Sequence, residues 1–163
     1  MMSDPVNREE GDPSFDVDGM LGRLAKWLRI MGFDAAFPRS APSEGRVFVT
    51  MKKDVRRPGS VSITKIGPMD QLAEFLEQTG IDPNPARVLS RCLVCNVPVG
   101  ETTRERAAGR VPDRVLRTSS SFNECPRCGR IYWEGTHGER IRKRLKKVHG
   151  WTDPTGVDSS SAD

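Results

Sequence analysis

Four cysteines fall in two C-x-x-C pairs, Cys92 with Cys95 and Cys125 with Cys128. Thiolates at that spacing can close a tetrahedral shell around Zn²⁺, each pair bending the chain so that both sulfurs face one ion. Gly129 follows the second pair, and a glycine there supplies the positive-φ turn that points backbone N–H groups at the sulfurs. The pattern reads as a structural zinc ribbon beginning near Leu89. The stretch 96–124 is longer than in a minimal ribbon, so a loop should protrude between the two knuckles. Two disulfides, a redox dithiol or four unrelated buried cysteines are the competing readings. Residues 1–14 are polar and acidic with no apolar signal core, which points to a cytoplasmic protein and against disulfides. A redox dithiol needs one pair rather than two.

The next residues able to do chemistry are acidic. Phe15-Asp16-Val17-Asp18 alternates apolar and acidic, as a short strand ending in a carboxylate would. Asp18 can cap the helix that follows, since aspartate is a good N-cap. On their residues alone, Asp16 and Asp34 read as solvated. From Met20 to Met31 the apolar residues Leu21, Leu24, Ala25, Leu28 and Met31 share one helical face, with Arg23, Lys26 and Arg29 toward the other, and Gly32 ends the helix. Strands are expected at 46–50 and 61–64, and a helix at Asp70–Thr79 with Gly80 as its stop. This alternation of strands and helices argues for an α/β layer structure with a short, partly parallel sheet.

Asp82-Pro83-Asn84-Pro85 resists both helix and strand and marks a boundary. The expected organisation is a tail to residue 14, an α/β domain over 15–82, a linker over 83–89, the ribbon over 90–137, a helix over 138–150 and a second tail. Ile131-Tyr132-Trp133 should form a ribbon strand. In the last helix Ile141, Leu145 and Val148 make a thin apolar stripe, while Arg140, Arg142, Lys143, Arg144, Lys146 and Lys147 face outward as candidates for nucleic-acid contact or as plain soluble surface. The whole chain of 163 residues carries a formal charge of only +4, but both tails are acidic, so the folded part is the more basic. A basic surface favours polyanionic partners, and no apolar run approaches the roughly 18 residues of a membrane span. Trp27, Tyr132 and Trp133 can stack on bases or sit partly in the core. His137 can contact phosphate or order the end of the ribbon.

The run Val17-Asp18-Gly19-Met20-Leu21-Gly22-Arg23-Leu24-Ala25-Lys26-Trp27-Leu28-Arg29, continued by Met31-Gly32-Phe33-Asp34, resembles the opening of the Mut-C RNase family. That family is named after the C-terminal domain of the Mut-seven exonuclease. Ser90-Arg91-Cys92-Leu93-Val94-Cys95-Asn96 and Cys125-Pro126-Arg127-Cys128-Gly129-Arg130-Ile131-Tyr132-Trp133-Glu134-Gly135-Thr136-His137 resemble its two knuckles, and Val111-Pro112 a dipeptide between them. The resemblance implies a PIN-like nuclease fold joined to a zinc ribbon, RNA as the partner, and carboxylates holding Mg²⁺ or Mn²⁺ at the C-terminal edge of a parallel sheet. It makes Asp18 the first metal carboxylate and gives Asp34 and Asp54 as further candidates. Arg23, Lys26 and Arg29, by their place beside that acidic edge, are candidates for phosphate contact, or else simply the exposed side of the helix.

The chain departs from that pattern in two places. Only Pro38 to Gly45 separates Phe37 from Arg46, too short for the acidic helix that family members carry there. Thr50-Met51-Lys52 stands where an acidic residue is usual, and lysine repels the cation a carboxylate would hold. Two readings follow: a metal-dependent ribonuclease using Asp18 with Asp34 or Asp54, or an RNA-binding adaptor in which the metal site is lost. A third is a scaffold whose acidic tails and ribbon loop bind a protein partner.

Overall fold

The computed structural model describes residues 11–53 and 59–148. Strand β1 (Ser14–Asp18) lies inside a four-stranded sheet of order β2-β1-β3-β4, with β2 at Asp34–Arg39, β3 at Val47–Thr50 and β4 at Val61–Ser62. Every pairing is parallel, so the sheet is parallel throughout rather than in part. Helices α1 (Gly22–Ile30) and α2 (Pro68–Thr79) share one core with it. Phe15 and Val17 of β1 are fully buried there with Leu24, Leu28, Leu72 and Phe75. Phe15 meets the Phe75 ring edge-on, with centroids 5.0 Å apart. Each such side chain contributes about 1.5–3 kcal/mol through burial.

The apolar face expected of α1 is the face that is buried, from Leu21 to Met31. A short 3-10 turn, Gly19–Leu21, comes first. α2 starts at Pro68, whose fixed φ suits a first helical position, and Gly80 closes it in the left-handed region at φ 64°. Strand β2 is less visible in sequence, because Ala35-Ala36-Phe37-Pro38 has no β-branched residue.

Asp16 and Asp18 alternate with the core residues of β1 and so lie on the other side of the sheet, as do Phe48 and Thr50 of β3. In place of the absent helix, the β2–β3 connection folds back on this side, and the Ser43 N–H donates to Asp16 Oδ2 at 2.6 Å.

Beyond the linker, β5 (Gly100–Thr102), β6 (Phe122–Glu124) and β7 (Ile131–Trp133) form an antiparallel sheet with β6 in the middle. Where a protruding loop was expected, two short helices stand, α3 (Arg104–Ala107) and α4 (Asp113–Thr118). Local capping and a small apolar cluster explain them. Thr103 Oγ1 accepts from the Arg106 N–H, Pro112 precedes α4, and Ala107, Val111 and Phe122 bury one another against Val115, Leu116, Ile131 and Trp133. Helix α5 (Thr136–Leu145) lays its stripe of Ile141 and Leu145, followed by Val148, into the main core beside Trp27, Leu89 and Leu93. Among the described residues no helix is long and apolar enough to cross a membrane.

Candidate functional site

All four cysteines are free thiols, and their sulfurs lie within 4.8 Å of one another. Cys92 and Cys128 Sγ are 3.8 Å apart, close to the edge of a tetrahedron with metal–sulfur bonds of about 2.3 Å. The two knuckles are built alike. Asn96 and Gly129, each directly after its pair, adopt φ of 58° and 75°. The Cys95 N–H points at Cys92 Sγ, and the Arg127 and Cys128 N–H groups point at Cys125 Sγ. The Tyr132 hydroxyl donates to Cys92 Sγ at 3.1 Å and accepts from the Leu93 N–H. Burial alone would raise the Cys92 thiol, but the Tyr132 and backbone hydrogen bonds outweigh it and bring the group down to about 6. Desolvation first, then the hydrogen bonds its thiol would give to three neighbouring sulfurs and the charge of Cys92, push Cys95 up to about 12. Four sulfurs this close suit a dication, which holds thiolates together. These residues fit Zn²⁺ held in place as a structural ion.

At the C-terminal edge of the parallel sheet Asp18 is only 5% exposed. Its Oδ2 accepts from Thr50 Oγ1 at 2.6 Å, its Oδ1 from the Met20 N–H at 3.4 Å, and Lys52 Nζ stands 3.8 Å from Oδ2. Asp18 is therefore also the cap of the turn that opens α1. A Mg²⁺ or Mn²⁺ ion takes several oxygen ligands. Here an ammonium stands beside Asp18, and both oxygens of Asp16, the other aspartate on this side of β1, are engaged by Ser43 and Arg46, a set that does not fit a divalent cation. Among those residues the four cysteines are the one group of three or more candidate metal ligands. Asp54 lies outside the described residues.

Asp34 is not brought to Asp18. It begins β2 opposite Ser14, whereas Asp18 ends β1 opposite Arg39, so the two carboxylates occupy opposite edges of the sheet. Nor is Asp34 simply solvated. Arg46 grips it with two hydrogen bonds of 2.9 Å, and Asn96 Nδ2 donates to it at 2.7 Å. The Arg46 bonds chiefly, opposed by partial burial, hold its carboxyl below the usual range. Asp16 is completely buried, against the expectation from sequence. Arg46 Nε donates to it at 2.8 Å, and Arg39 Nε is 3.7 Å away. Burial raises its pKa, but the Ser43 and Arg46 hydrogen bonds prevail and lower it. Arg46 also donates to the Phe15 carbonyl at 2.7 Å, and the two aspartates, Asp34 first, raise its own pKa further.

The cations divide into two groups. Arg29 is engaged inside the protein, donating to the Ala35 carbonyl and to the Leu93 carbonyl of the first knuckle, both at 2.9 Å. Arg142 donates to the Pro85 carbonyl and to Glu134. Arg23 and Lys26 of α1 instead line one groove with Lys143, Arg144 and Lys147. Lys146 is exposed but is not part of that lining.

Two residues escaped the sequence reading. The sequence offers Tyr132 as a stacking or core residue, yet its hydroxyl serves the cysteine cluster. Asn96 ties that cluster to the sheet, its Oδ1 accepting from the Ala35 N–H at 3.0 Å while its amide nitrogen reaches Asp34. The sequence signal for Asn96 is its place after Cys95, matching Gly129 after Cys128, since asparagine and glycine are the residues that tolerate that backbone.

No curated protein matches the chain, and no solved structure does. The Mut7-C RNAse domain matches residues 13–145, from the start of the parallel sheet to the end of α5. Sheet, cysteine cluster and basic helix all fall within that span, and the chain belongs to the Mut7-C RNAse domain family.

Proposed function

We propose that this chain binds RNA without hydrolysing it. The observation that carries the reading is Lys52 Nζ at 3.8 Å from Asp18 Oδ2, on the side of the sheet where the family would hold its metal. An ammonium there supplies the positive charge that a carboxylate pair would otherwise recruit from solution, and it cannot activate water as a metal ion does. The structural zinc holds the ribbon, and a four-thiolate site suits the reducing cytoplasm.

Hydrolysis remains the second reading, because buried Asp18 lies at the C-terminal edge of an open parallel sheet, where such folds bind their ligands. Asp54 would then be the second carboxylate. Zinc-loaded protein incubated with labelled single-stranded RNA and Mn²⁺, beside Asp18→Asn, decides between them. The expected result is binding with no cleavage in either protein. Mn²⁺-dependent cleavage that vanishes in Asp18→Asn would establish the hydrolytic reading, and negligible RNA affinity at low salt would overturn RNA binding and leave only the scaffold reading standing.

A further inference from the structure

Arg23, Lys26, Trp27 and Ile30 recur at helical spacing along α1, and Arg140, Lys143, Arg144 and Lys147 do the same along and just past α5. The two rows face each other across a groove of about 820 Å³, whose lining includes no acidic residue. Among the described residues, none of the six cations has an ion pair, whereas Arg142 on the neighbouring row is bonded to Glu134. Gathering like charges without counter-charges costs stability, so the arrangement suits an external polyanion. The groove is not only charged. Trp27, Ile30, Met69, Leu93 and Ile141 give it an apolar floor.

Lys26 and Leu93 also line an adjoining concavity of about 550 Å³ on the ribbon, which Arg110, Arg130, Tyr132 and Trp133 complete. The two depressions therefore form one path from α5 across α1 to the ribbon, with an indole in each. A duplex keeps its base faces stacked inside and offers only phosphates, 2′-hydroxyls and base edges, leaving such a floor without a stacking partner. An unpaired strand presents both phosphates and base faces, which is what cationic rims above an aromatic floor can take.

We infer that this path, from the α1–α5 groove over the ribbon, is a binding site for single-stranded RNA, with phosphates on its cationic rims and bases against Trp27 and Trp133. The inference rests on the reading that RNA is the ligand. The site is sequence-tolerant, because stacking and phosphate contact read no base edge.

The test measures anisotropy of labelled oligouridine, and of an RNA duplex of equal nucleotide content, across a series of salt concentrations. Zinc content and circular dichroism confirm that each variant is folded. Neutralising two rim cations in Lys143→Gln/Lys147→Gln should flatten the logarithmic salt slope by about 1.4, at about 0.7 for each phosphate contact to a single strand. Trp27→Leu should weaken oligouridine binding at least about fivefold with the slope unchanged, as loss of one stacked base predicts. Arg114→Gln/Arg117→Gln, on exposed positions of α4 outside the path, is the control for charge alone. Wild-type binding that the groove variants leave at the level of the α4 control would overturn the site while leaving RNA as the ligand. Duplex bound as tightly as single strand, with no effect of Trp27→Leu, would overturn the assignment of bases to the floor. Binding of polyglutamate in preference to oligouridine would overturn both the site's ligand and the reading it rests on.

Discussion

Replacing Arg46 by methionine isolates the cluster that covers the second side of the sheet. The substitution keeps an apolar stem of similar length and removes the hydrogen bonds to Asp16, to both oxygens of Asp34 and to the Phe15 carbonyl. The Asp34 side chain is 37% exposed, so its share is small, about 0.5–1 kcal/mol. The Asp16 side chain is fully buried, and breaking a buried pair by removing one partner costs about 3–5 kcal/mol. Asp16 keeps the Ser43 N–H, and half-exposed Arg39 stands near, which puts the expected total toward the lower part of that range. Urea unfolding of zinc-saturated protein gives the comparison. The pH dependence has a definite sign. In the wild type, Asp16 and Asp34 have folded-state pKa values below the unfolded value, so their contribution is present above about 4 and fades as pH falls through the folded values. In the variant, Asp16 is buried without its cation and its pKa rises, so its penalty grows as pH climbs through that raised value. The gap between the proteins should therefore be wider at pH 7.5 than at pH 5, by about 1.4 kcal/mol for each unit by which the raised value exceeds 5. A loss below about 1 kcal/mol, or a gap that does not change with pH, would refute the claim that Arg46 is what makes a buried Asp16 tolerable.

Three further outcomes are expected. Tyr132→Phe removes a hydroxyl that touches Cys92 Sγ, and it should lower zinc affinity about 10- to 100-fold in competition with a chromophoric chelator; unchanged affinity would mean that the hydroxyl does not support the site. Lys52→Asp sets a second carboxylate beside Asp18, so Mn²⁺ at a hundred times its dissociation constant should stabilise that variant by about 2.7 kcal/mol while wild type stays insensitive; Mn²⁺ stabilisation of wild type would count against the ammonium as the site's cation. Gly32 has φ 92°, and a Cβ there would meet the Arg87 carbonyl oxygen at 2.6 Å, so Gly32→Ala should cost about 1–3 kcal/mol in thermal unfolding, and a neutral result would mean that the linker yields easily.

The cysteine cluster was legible because metal chemistry fixes both residue type and spacing, and α1 and α2 because their apolar periods and stops are local features of the chain. Strand β2 was hidden, since alanine and proline signal nothing by themselves and the strand exists through its pairing with β1. The burial of Asp16 was hidden for a similar reason. Alternation correctly put it on the face opposite Phe15 and Val17, but whether that face meets water depends on a connection whose fold is set by Arg46, thirty positions along the chain. Arg29 and Arg142 looked like their neighbours on the same helices, and only the carbonyls that receive them separate them from Arg23 and Lys143. A helical wheel assigns a face, and it takes the packing of the linker and the first knuckle to say what that face meets.

The shortened β2–β3 connection and the altered sheet edge have one physical cause in common. A parallel sheet is normally covered on both sides. With no helix between β2 and β3, the second side of this one has to be closed by polar groups already on the strands and by a short loop. Burying Asp16 that way requires a cation, and Arg46 supplies it while reaching Asp34 as well, which Asn96 in turn connects to the cysteine cluster. Both acids are thereby neutralised by arginine, Asp34 at the edge of the sheet away from Asp18 and Asp16 two residues from it along β1. At the C-terminal edge Asp18 is balanced by Thr50 and Lys52. The short connection and the charge pattern of the sheet thus belong together: fixed side-chain cations balance the aspartates on this side. Arg23, Lys26, Lys143, Arg144 and Lys147 take no part in that internal balance and line the groove between α1 and α5 instead.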